Sequence, residues 1–177
     1  AEICVFDSIC ASGGHGLLIY HAIENKKKGM SVKENMQALE ELKHRIVHKF
    51  TVDDLTYLQR GGRISKTAAV IGGMIQLKPV LHVDTEGRLA AESKVRGRKK
   101  ALNQLLAEMD ICTGGYADKQ DVVLICHADC PEDAEYVRAK VEEKYHPNKI
   151  IMSEVGPIVG AHVGPGTMVL IFEGDKR

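Results

Sequence analysis

Four stretches of this chain gather residue types that hold anions. The first is Gln59-Arg60-Gly61-Gly62-Arg63-Ile64-Ser65, where two arginines flank a glycine pair. A guanidinium grips a carboxylate or phosphate through two parallel N–H donors. Paired glycines let the backbone come close to a ligand. Ser65 is placed to open a helix, whose first N–H groups favour negative charge. The second is Lys94-Val95-Arg96-Gly97-Arg98-Lys99-Lys100, with five cations in seven residues. Such a cluster repels itself and favours an anionic partner. The third runs from Gly156 to Thr167, with four glycines and two prolines set among apolar residues. It carries His162, which can donate a hydrogen bond to an anionic oxygen and titrates near neutrality. No Ser or Cys stands near His162 in sequence to suggest a catalytic triad. The fourth is Asp7-Ser8 followed by Ser12-Gly13-Gly14-His15-Gly16, a glycine-rich turn after a strand-like run. It lacks the Gly-Lys-Ser/Thr ending of a P-loop and has no clean dinucleotide fingerprint.

Each stretch also has a plainer reading. The first is a helix end and tight turn with its arginines in water, and the second a solvated charge run. The third is a shaped, buried loop with a structural histidine, and the fourth a strand-to-helix turn. Residue types and spacing alone therefore support an anion site with four candidate basic residues, Arg63, Arg96, Arg98 and His162. Three chemistries remain open for the anion. It is the acidic head of a small ligand, a phosphate held by a small-molecule enzyme, or RNA bound through residues 94–100.

Bulk properties narrow these. The 177 residues hold 24 Lys plus Arg and 24 Asp plus Glu, for a net charge of zero. A general nucleic-acid binder carries a basic excess. Aromatic residues are 5% of the chain, few for the stacking that holds single strands. Hydrophobic residues at 44% and charged residues at 27% describe a soluble globular chain. No apolar run approaches the ~20 residues that span a bilayer, and the first residues do not read as a signal peptide. The five cysteines are odd in number and lack a disulfide-type spacing. Free thiols in a reducing cytoplasm are expected. Cys126-His127-Ala128-Asp129-Cys130 has a metal-like look, but no second pair completes a tetrahedral shell.

The elements that must position these residues alternate. Ile3 to Phe6 reads as a strand. Ser12 caps a helix to about Lys28, stopped by Gly29. Ser31-Val32-Lys33-Glu34 is a capping box, and the helical spacing of Val32, Met36, Leu39, Leu42 and Ile46 predicts a helix to about His48. Phe50 to Val52 is strand-like. Asp53 or Asp54 caps a short helix that ends at Gly61-Gly62, and Ser65 starts another, Lys66 to Met74. Pro79 to Val83 and Leu89 to Val95 form a hairpin around Asp84-Thr85-Glu86-Gly87. A helix from Arg98 to Met109, a loop at Thr113-Gly114-Gly115 and a strand from Val122 to Cys126 follow. Pro131 opens a helix to Tyr145. Strands at Lys149 to Met152 and Met168 to Phe172 flank the 156–167 loop. This alternation predicts an α/β layered architecture with a mixed sheet, and a boundary near Lys49 if the first segment packs apart.

Taken together, these motifs resemble the DegV family of bacterial fatty-acid-binding proteins. The resemblance rests on Asp53 to Lys66, Leu77-Lys78-Pro79-Val80-Leu81, Lys94 to Ala101 and His127-Ala128-Asp129. It continues in Glu154-Val155-Gly156-Pro157 and His162-Val163-Gly164-Pro165-Gly166, and so runs through almost the whole chain. It implies a two-lobed α/β protein that encloses a long-chain fatty acid and presents its carboxylate to a partner fatty-acid kinase, with no cofactor and no catalysis of its own. By the same resemblance His162 matches the histidine that meets the carboxylate. Arg63, Arg96 and Arg98 match basic positions near the head group or the kinase-docking face. Ala69, Ile71 and Met74 are candidates to line the acyl tail, with ordinary helix packing as their alternative. The family's early Thr-Ser and Ser-Gly-Thr stretches do not precede Ala1. The expectation is therefore a C-terminal portion, with residues 1–48 a remnant of the first lobe and 49–177 the second.

Overall fold

The computed structural model describes residues 3–65 and 77–177. The strands among them form one six-stranded mixed sheet. They are β1 (Ile46–Thr51), β2 (Leu77–Val83), β3 (Leu89–Arg96), β4 (Val122–His127), β5 (Lys149–Glu154) and β6 (Met168–Glu173). Their spatial order is β3-β2-β1-β6-β4-β5. Only β4 and β5 run parallel; the other neighbours are antiparallel. The helices are α1 (Gly13–Lys27), α2 (Val32–Leu42), α3 (Leu55–Arg60), α4 (Arg98–Thr113), α5 (Pro131–Tyr145) and α6 (Pro157–Val163).

β1 shows how the layers arise. Its six residues are all buried, and successive side chains point to opposite faces. Val47 joins one core with Leu102, Leu105 and Met109 of α4 and Val137 and Val141 of α5. Ile46 joins a second core with Leu17 and Leu18 of α1 and Leu39 and Leu42 of α2. Phe50 joins a third with Leu55 and Leu58 of α3 and Val163 of α6. The sheet is thus covered by helices on both faces. Burying one leucine contributes about 1.5–3 kcal/mol, so Leu17 and Leu18 are the main apolar anchors of α1.

One buried lysine meets carboxylates at the edge of these layers. Lys49 is 2% exposed and donates to both carboxylate oxygens of Glu92 at 2.7 Å. Glu108 of α4 lies 3.9 Å from the same ammonium and accepts from Gln104.

Most of the expected elements are present, and the capping box at Ser31 and Glu34 is complete. Several details differ. Ile3 to Phe6, expected as a strand, has no regular structure, and Ile3 and Val5 are exposed because no strand among the described residues pairs with them. The second helix stops at Leu42, and Ile46 to His48 lie in β1. Ile46 continues the helical spacing, but the pairing of β1 with β6 on one side and β2 on the other outweighs that local pattern. The 156–167 loop contains α6, because Pro157 sits in the first turn, where its missing N–H costs nothing. Thr113 ends α4, and Gly114–Lys119 forms a 3₁₀ turn rather than an open loop. Ser12 flanks α1 but makes no side-chain cap bond; its φ is 48°. The expected boundary near Lys49 falls inside β1. The helix expected at 66–74 lies outside the described residues.

Candidate functional site

α3 delivers the first basic residue. Asp54 accepts from the Thr56 N–H at 2.8 Å and starts the helix. At the other end Gly62 adopts a left-handed φ of 70°. The Gly62 N–H reaches the Gln59 carbonyl at 3.0 Å, and the Arg63 N–H reaches the Leu58 carbonyl at 2.8 Å. This is a Schellman end, which needs glycine at its left-handed position. It reverses the chain and turns Arg63 toward a cavity on the α3/α6 face of the sheet.

α6 delivers the second. His162 lies in its last turn. The imidazole packs directly over Gly61, where a Cβ would fall 2.2 Å from Nδ1. The glycine pair thus does two separate jobs: Gly62 makes the turn, and Gly61 makes room for His162.

The cavity they share measures about 300 Å³. Phe50, Leu58, Val83, Leu89, Val159 and Val169 make most of its lining apolar. Its polar groups among the described residues are Arg63, His162, Ser12 at the start of α1, and His48 on β1. A second cavity of about 350 Å³ shares Arg63 and Leu89 with the first. Leu55, Ile64, Ser65, Pro79, Leu81, Ala91 and Lys94 also line it. Arg63 stands between two largely apolar hollows, an arrangement suited to an amphiphile with an acidic head. A buried carboxylate requires a charged or hydrogen-bonded partner, and an arginine with an imidazole beside it supplies both.

The other two candidate arginines lie elsewhere. Arg96 is exposed at the end of β3, opposite Leu77 and two residues beyond Lys94 on the same strand face. Arg98 opens α4 and is already engaged. Its Nε donates to Asp133 Oδ2 at 2.7 Å, and its Nη1 lies 3.4 Å from Asp53 Oδ1. It borders a separate polar cleft of about 360 Å³ with Lys78, Asp129 and Cys130. Lys99 lies over the Tyr136 ring, 5.4 Å from its centroid. The run from 94 to 100 is therefore split among three settings and forms no continuous basic face. The tail candidates Ala69, Ile71 and Met74 lie outside the described residues.

His48 is the cavity residue that the sequence reading missed. Burial pushes its imidazole pKa down to about 3, and the nearby Arg177 guanidinium adds to that shift. It is a neutral ring at physiological pH. A signal was present, because Ile46, His48, Phe50 and Val52 alternate on one strand face. Ending a helix at His48 hid it. Burial also raises the thiol pKa of Cys10, Cys112 and Cys130, and takes Cys126 to about 11. These thiols stay protonated and are not poised as nucleophiles. Among the described residues no group of three His, Cys, Asp or Glu is placed to hold a metal ion, and no helix is long and apolar enough to cross a membrane.

Comparison with known proteins settles the lineage. The profile of a family described as uncharacterised proteins of the DegV family matches residues 1–175. The chain belongs to the DegV family. A DegV domain-containing protein of Clostridium perfringens is 40% identical over 177 residues, which cover all of this chain and 60% of that one. The DegV chain thus spans about three-fifths of the length of such relatives. Among solved structures, a protein described as DegV, a fatty acid binding protein from Bacillus subtilis, is 31% identical with a TM-score of 0.80. The match covers 96% of this chain and 60% of that one. The Fatty Acid Kinase (Fak) B3 protein of Streptococcus pneumoniae, loaded with linoleic acid, shares the fold. Its TM-score is 0.89 at 21% identity, over 98% of this chain and 60% of that one.

Proposed function

We propose that this DegV chain binds a long-chain fatty acid and holds its carboxylate between Arg63 and His162. The observation that carries the reading is the apolar cavity with these two groups on its wall. The hollows on either side of Arg63 offer apolar cover for a tail, where each buried CH₂ contributes roughly 0.8 kcal/mol. The described fatty-acid binding of the Bacillus subtilis relative supports the same chemistry.

The proposal extends to a role and a partner. The chain forms the second lobe of a two-lobed protein, and residues 3–6 belong with the first. Ile3 is 87% and Val5 93% exposed and lie outside any strand, which leaves this apolar run open to a contact with the first lobe. The bound acid is presented to a fatty-acid kinase, as the name of the Fak B3 fold neighbour suggests. In that role the protein supplies no catalytic group. Arg63 and His162 meet the head group, and Arg96 faces the kinase. Arg98, held by Asp133 and Asp53, shapes the wall between β3 and α5.

The test is organic extraction of the protein expressed from its whole reading frame, followed by mass spectrometry. Acyl species at near-stoichiometric amounts are expected, and their loss in Arg63→Ala and His162→Ala. Absence of any acyl species from purified wild type, before and after incubation with oleate, refutes the reading.

A further inference from the structure

His48 is 2% exposed and lines the cavity, yet neither ring nitrogen has a hydrogen-bond partner among the described residues. The carbonyl oxygens of Ala11 and Ile46 act on the ring, but neither completes a bond. An unpaired polar group buried in a core is costly, and its strand neighbours Ile46 and Phe50 show that apolar side chains suit this layer. The fold nonetheless makes space for an imidazole. A Cβ on Gly14 would fall 1.9 Å from His48 Nε2, so the ring sits against bare backbone at the start of α1. Ser12 beside it lines the same cavity. It has a positive φ of 48° and leaves α1 uncapped by its side chain. Strained non-glycine backbone of this kind gathers at ligand sites.

We infer that His48 is a third polar contact for the head group in this cavity, donating one N–H to a carboxylate oxygen that Arg63 and His162 also meet. The inference rests on the fatty-acid reading above and adds a residue to it. A carboxylate offers about four lone-pair sites, enough for an arginine and two imidazoles. Arg63 supplies the balancing charge, so a neutral donor from the sheet side adds a hydrogen bond without a second buried cation. Burial and Arg177 keep the ring in that neutral state.

The experiment compares wild type, His48→Leu and His48→Gln, each expressed from the whole reading frame, delipidated, and titrated with oleate by calorimetry. Leucine fills the space without a donor, and glutamine restores one. His48→Leu is expected to bind oleate about tenfold or more weakly, with His48→Gln recovering most of that loss. Oleate is also expected to shift the His48 ring ¹⁵N resonances of labelled wild type. That readout stands if a variant fails to fold. Equal affinity of wild type and His48→Leu, or ring resonances that do not move, overturns the inference and leaves the fatty-acid reading intact. Equal losses in both variants also overturn it, since ring shape alone then matters. Wild type that binds no oleate overturns both.

Discussion

The buried His48 ring makes ligand-free stability depend on pH in a calculable way. Its pKa lies at about 3 in the folded protein against an ordinary value of 6.5. The unfolded chain therefore takes up this proton first. Stability is full above pH 6.5 and is lost as pH falls from there toward 3. Each unit within that window removes about 1.4 kcal/mol. Between pH 6.5 and 4.5 the loss from this ring is about 2 to 3 kcal/mol, a large share of a typical domain's 5–15 kcal/mol. His21 is also shifted down by burial, offset in part by Glu173, so wild type alone does not isolate His48. The informative quantity is the difference in slope between wild type and His48→Gln. Urea unfolding of delipidated protein at several pH values measures it. His48→Gln is expected to lose about 2 to 3 kcal/mol less than wild type over that range. Parallel slopes for the two proteins refute a neutral, dry His48.

Three further outcomes follow from the geometry. Glu92→Gln leaves Lys49 buried with Glu108 3.9 Å away as its remaining carboxylate, and denaturant unfolding should show a loss of about 1–3 kcal/mol. Replacing the pair together, Lys49→Met with Glu92→Leu, should be much milder by the same assay. Gly61→Ala places a Cβ 2.2 Å from His162 Nδ1; oleate affinity should fall while the thermal midpoint moves little, because the half-buried His162 ring can swing away. Arg98→Ala breaks the contacts with Asp133 and Asp53. It should lower stability by up to about 1 kcal/mol and leave oleate affinity unchanged, whereas Arg63→Ala should do the reverse.

Local chemistry wrote much of this fold into the sequence. The capping box at Ser31, the hairpin around Asp84 to Gly87 and Pro131 at a helix start all act within a few residues. Two of the misread stretches are governed at long range. Ile46 fits a helical spacing, and only its partners Glu173 on β6 and the leucines of α1 and α2 decide for a strand. Gly160, Gly164 and Gly166 read as loop formers, but packing against α3 lets Pro157 to Val163 wind into a turn of helix. The site divided in the same way. Arg63 and His162 announced themselves by type and setting. Their convergence depends on Gly61, whose missing side chain matters only because a distant helix lies across it. Arg98 matched the same pattern, yet Asp133, 35 residues away, had already claimed it.

The sheet order has a consequence for how the protein is made. β6, the last of the described strands, lies between β1 and β4. Before it is in place, β3-β2-β1 and the β4-β5 pair are separate ribbons, each with an open edge toward the gap. The β1–β6 pairing joins residues 46–51 to 168–173, a separation that slows folding because the loop must close before the contact rewards it. On the ribosome, neither ribbon can complete its core until β6 emerges. Val169, which lines the cavity, arrives with that strand. The candidate site is therefore incomplete until β6 is paired, and the open edges of β1 and β4 are where a stalled or truncated chain would begin to aggregate.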